Sequence, residues 1–84
     1  MGGMDDEFPS LPVDAREILL ASGYLPTEAR ERLIRANGYD EICRAVIDVF
    51  SNTSLDHLGK FNEAELGSIS EGAAAALRHL DGRA

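Results

Sequence analysis

The run Ile42-Cys43-Arg44-Ala45-Val46-Ile47-Asp48-Val49-Phe50 decides how this chain folds. Ile42, Ala45, Val46, Val49 and Phe50 recur at i, i+3, i+4, i+7 and i+8, the spacing that lines one face of an α-helix. Cys43 and Ile47 widen that face. A strand would need apolar and polar residues in strict alternation, and no such run of useful length occurs in the sequence. The pattern predicts a central helix with one buried face. The fold class that follows is all-α, a compact bundle of four to five short helices with no sheet.

On the N-terminal side, Asn37-Gly38 marks the end of a preceding helix. That helix opens near Pro26-Thr27, where proline is tolerated in a first turn and threonine is a capping residue. Ala29, Leu33 and Ala36 form its apolar stripe. Glu28 with Arg32 and Glu31 with Arg35 stand four residues apart in the favourable orientation. Two solvated ion pairs are expected there, each contributing about 0.3–0.5 kcal/mol. A first helix is expected from Asp14, because Asp14 and Glu17 have capping-box spacing and Val13 and Ile18 flank them as a hydrophobic staple. Gly23 ends it in a left-handed conformation, with Tyr24 folding back as the apolar contact. Ala21-Ser22-Gly23-Tyr24 and Ala36-Asn37-Gly38-Tyr39 then read as one helix ending used twice. Residues 1–12 read as an N-terminal tail, since Pro9 and Pro12 oppose a helix. Phe8 and Leu11 offer apolar surface that pins the tail to the core. The single helical domain spans 13–82.

On the C-terminal side, Ser51-Asn52-Thr53-Ser54 breaks the central helix with residues that favour turns and caps. A short turn of helix follows over Leu55 to Leu58. Asn62 and Glu65 form a second capping box, with Phe61 and Leu66 as its staple. The last helix runs from about Glu63 to Leu80, and Gly82 ends it. Gly67 and Gly72 within it each cost about 0.8–1 kcal/mol relative to alanine. The predicted core is Ile18, Leu19, Leu33, Val46, Val49, Phe50, Leu66, Ile69 and Leu77.

The 84 residues carry 15 carboxylates against 8 lysines and arginines, a net charge of −7, with 44% hydrophobic content. Such a balance argues against direct nucleic-acid binding, because phosphates would be repelled. It argues equally against anionic membrane surfaces, and no apolar run approaches the length of a membrane span. One cysteine and no visible targeting segment point to a reducing, cytoplasmic setting.

Residues 54–65 resemble a degraded EF-hand calcium loop. Ser54, Asp56, Gly59, Phe61, Asn62 and Glu65 fall at loop positions 1, 3, 6, 8, 9 and 12, where that family places ligands, the turn glycine and an apolar residue. Leu58 stands where the family has an oxygen ligand, and Ser54 replaces its first carboxylate, so a cation loses much of its coordination. Thr53-Ser54-Leu55-Asp56 is similar to the Asp-Ser-Leu motif of acyl carrier proteins, a small, acidic, four-helical family. The resemblance implies phosphopantetheine on Ser54 at the start of a helix. Thr53 replaces the family's aspartate, and the chain beyond Ser54 is shorter than two further helices need. As plain sequence, Ser54 reads as an N-cap.

No catalytic, cofactor-binding or metal-binding residue is assigned. Cys43 reads as a buried, inert thiol, with neither His57 nor His79 at a spacing that links it to a base. The histidines and cysteine lack zinc spacing. A helix-turn-helix reading fails on charge, since Asp40, Glu41 and Asp48 oppose phosphate approach to the would-be recognition helix. From Asp40 to Glu71 there are seven acids and two basic residues. The expectation is a small acidic, non-enzymatic regulatory or adaptor module that binds a protein partner, a basic one or its own copy. Its contact residues are Tyr24, Tyr39, Asp40, Glu41, Asp48 and Asp56. A sharper variant is an acidic inhibitor that mimics nucleic acid on a basic site.

Overall fold

In the structure, a computed structural model, the backbone of residues 2–83 and the side chains of residues 11–82 are described. Their order is α1 (Gly2–Ser22), α2 (Thr27–Arg35), α3 (Tyr39–Asn52), α4 (Leu55–Leu58) and α5 (Glu63–Arg83), with no strand among them. The all-α bundle is as expected. α3 is its central post: Cys43, Ala45, Val46 and Val49 are buried, and Ile42 and Phe50 pack partly buried on the same cluster. Removing these side chains from water is the main drive for the fold, at about 25 cal/mol per Å².

α1 and α5 form the broadest packing of the bundle, and α5 also packs on α3. Where α1 meets Gly72 of α5 the residues are small: Ala15 lies against Gly72, and both are buried, as are Ala73 and Ala76 in the same helix. A methyl group built on Gly72 would lie 2.6 Å from the Leu11 carbonyl oxygen and closer still to the Ala15 side chain. The absent side chain at Gly72 is therefore what lets the two backbones approach.

That approach explains the main departure from expectation. α1 does not start at Asp14; it runs from Gly2 through Pro9 and Pro12. A proline inside a helix forfeits one backbone hydrogen bond. Here the Pro12 ring is fully buried, and the adjoining Leu11–Ala15 stretch is docked on Gly72, so tertiary packing offsets the local cost. The Asp14–Glu17 spacing thus falls within a helix and caps nothing. Phe8 lies outside the described side chains, and Leu11 is half-buried.

Leu77 is also not core: it is 51% exposed. At about 100° per residue it sits roughly 40° beyond Ala73, past the edge of the face that α5 turns inward. Leu25 and Phe61 are buried instead, Leu25 taking the apolar role expected of Tyr24. The other eight predicted core residues are buried or packed against the core.

The two glycine endings differ. Gly23 follows α1 with φ 75°, as a helix-ending glycine should. Gly38 is instead the N-cap of α3, with φ 94° and ψ 157°, while α2 has already ended in an extended Ala36. That backbone region is essentially restricted to glycine. The second capping box is present as expected: Glu65 N–H donates to Asn62 Oδ1 at 2.8 Å, and Asn62 N–H donates to Glu65 Oε1 at 3.1 Å. α5 continues to Arg83, so Gly82 does not end it.

Candidate functional site: the groove between α2 and α3

α2 and α3 are joined by only three residues, 36–38, and diverge enough to leave an open groove of about 900 Å³. Its floor is small and apolar: Ala29 and Ala36 from the α2 side, Ala45 and Val49 from α3. Both signs of charge stand along the walls, with Glu28, Glu31, Arg32 and Arg35 facing Glu41, Arg44 and Asp48. Ser54 and His57 line the end farthest from the connection. The floor follows from the α2 stripe, whose small alanines flank the single buried leucine, Leu33. Leu33 holds the helix to the core while the alanines leave space beside it.

One ion pair ties the walls together. Arg32 Nε lies 2.8 Å from Asp48 Oδ2, with both side chains about half exposed. The expected Glu28–Arg32 pair therefore gives way to a contact between helices. Arg32 reaches across to α3 because Asp48 is offered there by the exposed side of the central helix. Glu31 and Arg35 do pair, at 3.9 Å and largely exposed. Arg30 points elsewhere: its Nη1 donates to the Leu20 carbonyl at 2.7 Å, binding α2 to the C-terminal turn of α1, where a cation is favoured.

The six expected contact residues do not share a surface. Glu41 and Asp48 line the groove. Glu41 Oε1 also accepts from the Asn37 N–H at 2.9 Å, which steadies the link ahead of α3. Asp56 is exposed on α4, next to the groove's far end. Tyr24 is 39% exposed and meets the Phe61 ring edge-on at 5.3 Å, with Lys60 Nζ 5.7 Å from its own ring centre. Tyr39 and Asp40 belong to a separate cluster where α3 begins and α5 nears its end.

In that second cluster, His79 Nε2 lies 2.7 Å from Asp40 Oδ1, and the His79 and Tyr39 rings meet edge-on at 4.6 Å. Tyr39 is half-buried. Burial, then the neighbouring Cys43 and a hydrogen bond to it, pushes the Tyr39 phenol up to about 12. Burial also pushes the Cys43 thiol up, against a lowering by the Tyr39 hydrogen bond. Cys43 is fully buried. A nucleophilic cysteine needs the opposite, an exposed thiol with a lowered pKa. The cluster ties α3 to α5.

The 54–65 segment uses its oxygens locally. Ser54 Oγ accepts from the His57 N–H at 3.3 Å and sits 2.8 Å from His57 Nδ1, while Asn62 and Glu65 cap α5. Among the described residues no group of three or more His, Cys, Asp or Glu side chains is placed to hold a metal ion. Ser54 caps a helix of four residues, Leu55–Leu58. No helix among the described residues is long and apolar enough to cross a membrane. No protein-family model matches the chain, and no curated protein or solved structure matches it either.

Proposed function

We propose that this chain is a small acidic, non-enzymatic regulatory or adaptor module of a reducing, cytosol-like compartment, and that it acts by binding a protein in the α2/α3 groove. The observation that carries the reading is the groove itself. A concave surface with an apolar floor and a few charged groups on its rim is what a protein side chain or short segment needs for burial and orientation. The walls carry Glu28, Glu31, Glu41 and Asp48 against Arg32, Arg35 and Arg44, so recognition would rest on a pattern of both signs. The alternative of a nucleic-acid mimic draws less support. A phosphate array needs free, regularly placed anions, whereas Asp40 meets His79, Asp48 meets Arg32 and Glu41 meets a backbone amide.

The test uses a photo-crosslinking amino acid at Glu28 or Arg35 on the groove rim, and at exposed Glu71 on α5 as a control. The expected result in native lysate is one discrete protein adduct from the rim positions and none from position 71. Equal labelling from all three positions, or none from the rim, would overturn the proposal.

A further inference from the structure

The open end of the groove holds a nucleophile and a base in contact. Ser54 Oγ lies 2.8 Å from His57 Nδ1, both residues line the groove, and Ser54 is exposed. Backbone bonds hold the two on one turn. Ser54 Oγ accepts from the His57 N–H at 3.3 Å, and the Ser54 carbonyl accepts from the Leu58 N–H at 3.0 Å. With Oγ accepting from that amide, its own hydrogen is what it offers to Nδ1, which assigns the ring proton to Nε2. Capping alone accounts for the amide bond, and it places no demand on the side chain at position 57. A hydroxyl hydrogen-bonded to an imidazole acceptor is the pairing that activates a serine.

We infer that Ser54 is an acyl-acceptor site, with His57 as its general base and an activated ester of a short apolar acid as the donor. The groove beside the pair selects that class. Its floor of Ala29, Ala45 and Val49 suits a small apolar acyl chain, while Glu28, Glu31, Glu41 and Asp48 on the walls oppose the anionic oxygens of a phosphoryl donor. In the step, Ser54 Oγ bonds to the acyl carbon and its proton passes to His57 Nδ1. The bond from that carbon to the leaving oxygen breaks, and the leaving oxygen takes the proton from Nδ1 and departs as an alcohol. The products are the Ser54 ester and that alcohol, with no change of oxidation state. The chain is consumed as the acceptor rather than turned over, and the site stands independently of partner binding in the same groove.

The test treats the purified full chain with p-nitrophenyl acetate and p-nitrophenyl butanoate, and reads adducts by intact-mass measurement and peptide mapping. The expected result is one acyl group per chain at Ser54, formed faster than at Ser22, Ser51, Ser68 or Ser70. His57→Gln keeps the backbone N–H that Ser54 caps and removes only the base, and it should slow labelling by at least about tenfold, below the usual range for a general base because the site is open. Ser54→Ala should abolish the adduct. So should Ser54→Asp, which retains a capping oxygen and so separates loss of the nucleophile from loss of the cap. The butanoate should outpace the acetate by about fourfold after each is divided by its rate with free imidazole, one buried methylene's worth. Circular dichroism checks that each variant folds. Labelling confined to Lys60, the N-terminal amine or His57 itself overturns the inference, as does Ser54 labelling indifferent to His57→Gln; equal corrected rates for the two esters overturn the apolar acyl class.

Discussion

Replacing Gly72 with alanine should destabilise this protein, although the exchange improves helix propensity. The propensity gain is about 0.8–1 kcal/mol. Against it stands the new methyl group, 2.6 Å from the Leu11 carbonyl oxygen, 3.3 Å from the Leu11 carbonyl carbon, and nearer still to Ala15 Cβ. Favourable contacts between such atoms begin near about 3.5 Å. Two of the three obstructing atoms are backbone and the third is a Cβ, so no flexible side-chain end can swing aside, and α1 must shift bodily by roughly 1 Å. Overpacking of this kind costs about 1–3 kcal/mol, and a rigid obstruction belongs at or beyond the upper end. The net loss is about 2 kcal/mol or more, from a total stability of roughly 4–13 kcal/mol for a chain of this length. Each kcal/mol moves the melting temperature by about 4–8 °C at this size. Gly67, in the same helix, has nothing within 4 Å of an added methyl group. Gly67→Ala should therefore gain about 0.5–1 kcal/mol and melt higher. Thermal and urea unfolding followed by circular dichroism would measure both. Should Gly72→Ala equal or exceed the parent in stability, the close α1/α5 approach at Gly72 is refuted.

Two further outcomes are expected. Asn62→Ala removes half of the reciprocal cap on α5 and should cost about 0.5–2 kcal/mol in urea denaturation, with Asn62→Asp largely retaining stability; a neutral alanine variant would show that the cap is dispensable. The Tyr39 phenol, pushed up to about 12 in the folded protein against about 10 when unfolded, supplies stability that is fully present below pH 10 and lost as pH rises from 10 towards 12. Tyr39→Phe should remove that part of the alkaline loss, about 1 kcal/mol once solvent access is allowed for, and a parent and variant with identical stability differences between pH 8 and pH 11 would contradict it.

The central helix was legible in the sequence because its signal is local. Five apolar side chains at helical spacing from Ile42 to Phe50 leave one way to bury them. The Asn62–Glu65 cap was legible for the same reason. The N-terminal helix was not. Pro9 and Pro12 oppose a helix on local grounds, and the compensation comes from Gly72, some sixty residues away. Capping-box spacing at Asp14 and Glu17 also misled, since the same two residue types fit an exposed helix interior. Leu77 was misassigned because it lies just past α5's inward face, which carries Ile69 together with the small Gly72, Ala73, Ala75 and Ala76. The candidate site was less legible still. Charge pointed to acids without revealing that Asp48 meets Arg32 and Asp40 meets His79, pairs whose members lie 16 and 39 positions apart. A groove is space left over after packing, so no residue type announces it. Alanine content in α2 was the only available hint.

The seam between the first and last helices has a consequence for how much sequence change this protein can absorb. Interlocking large side chains fix the lengthwise placement of two helices at many points at once. Here the tightest of these points is a notch, where the carbonyl of residue 11 enters the gap at residue 72. At the notch there is no latitude, and a single added carbon there displaces the first helix from the last.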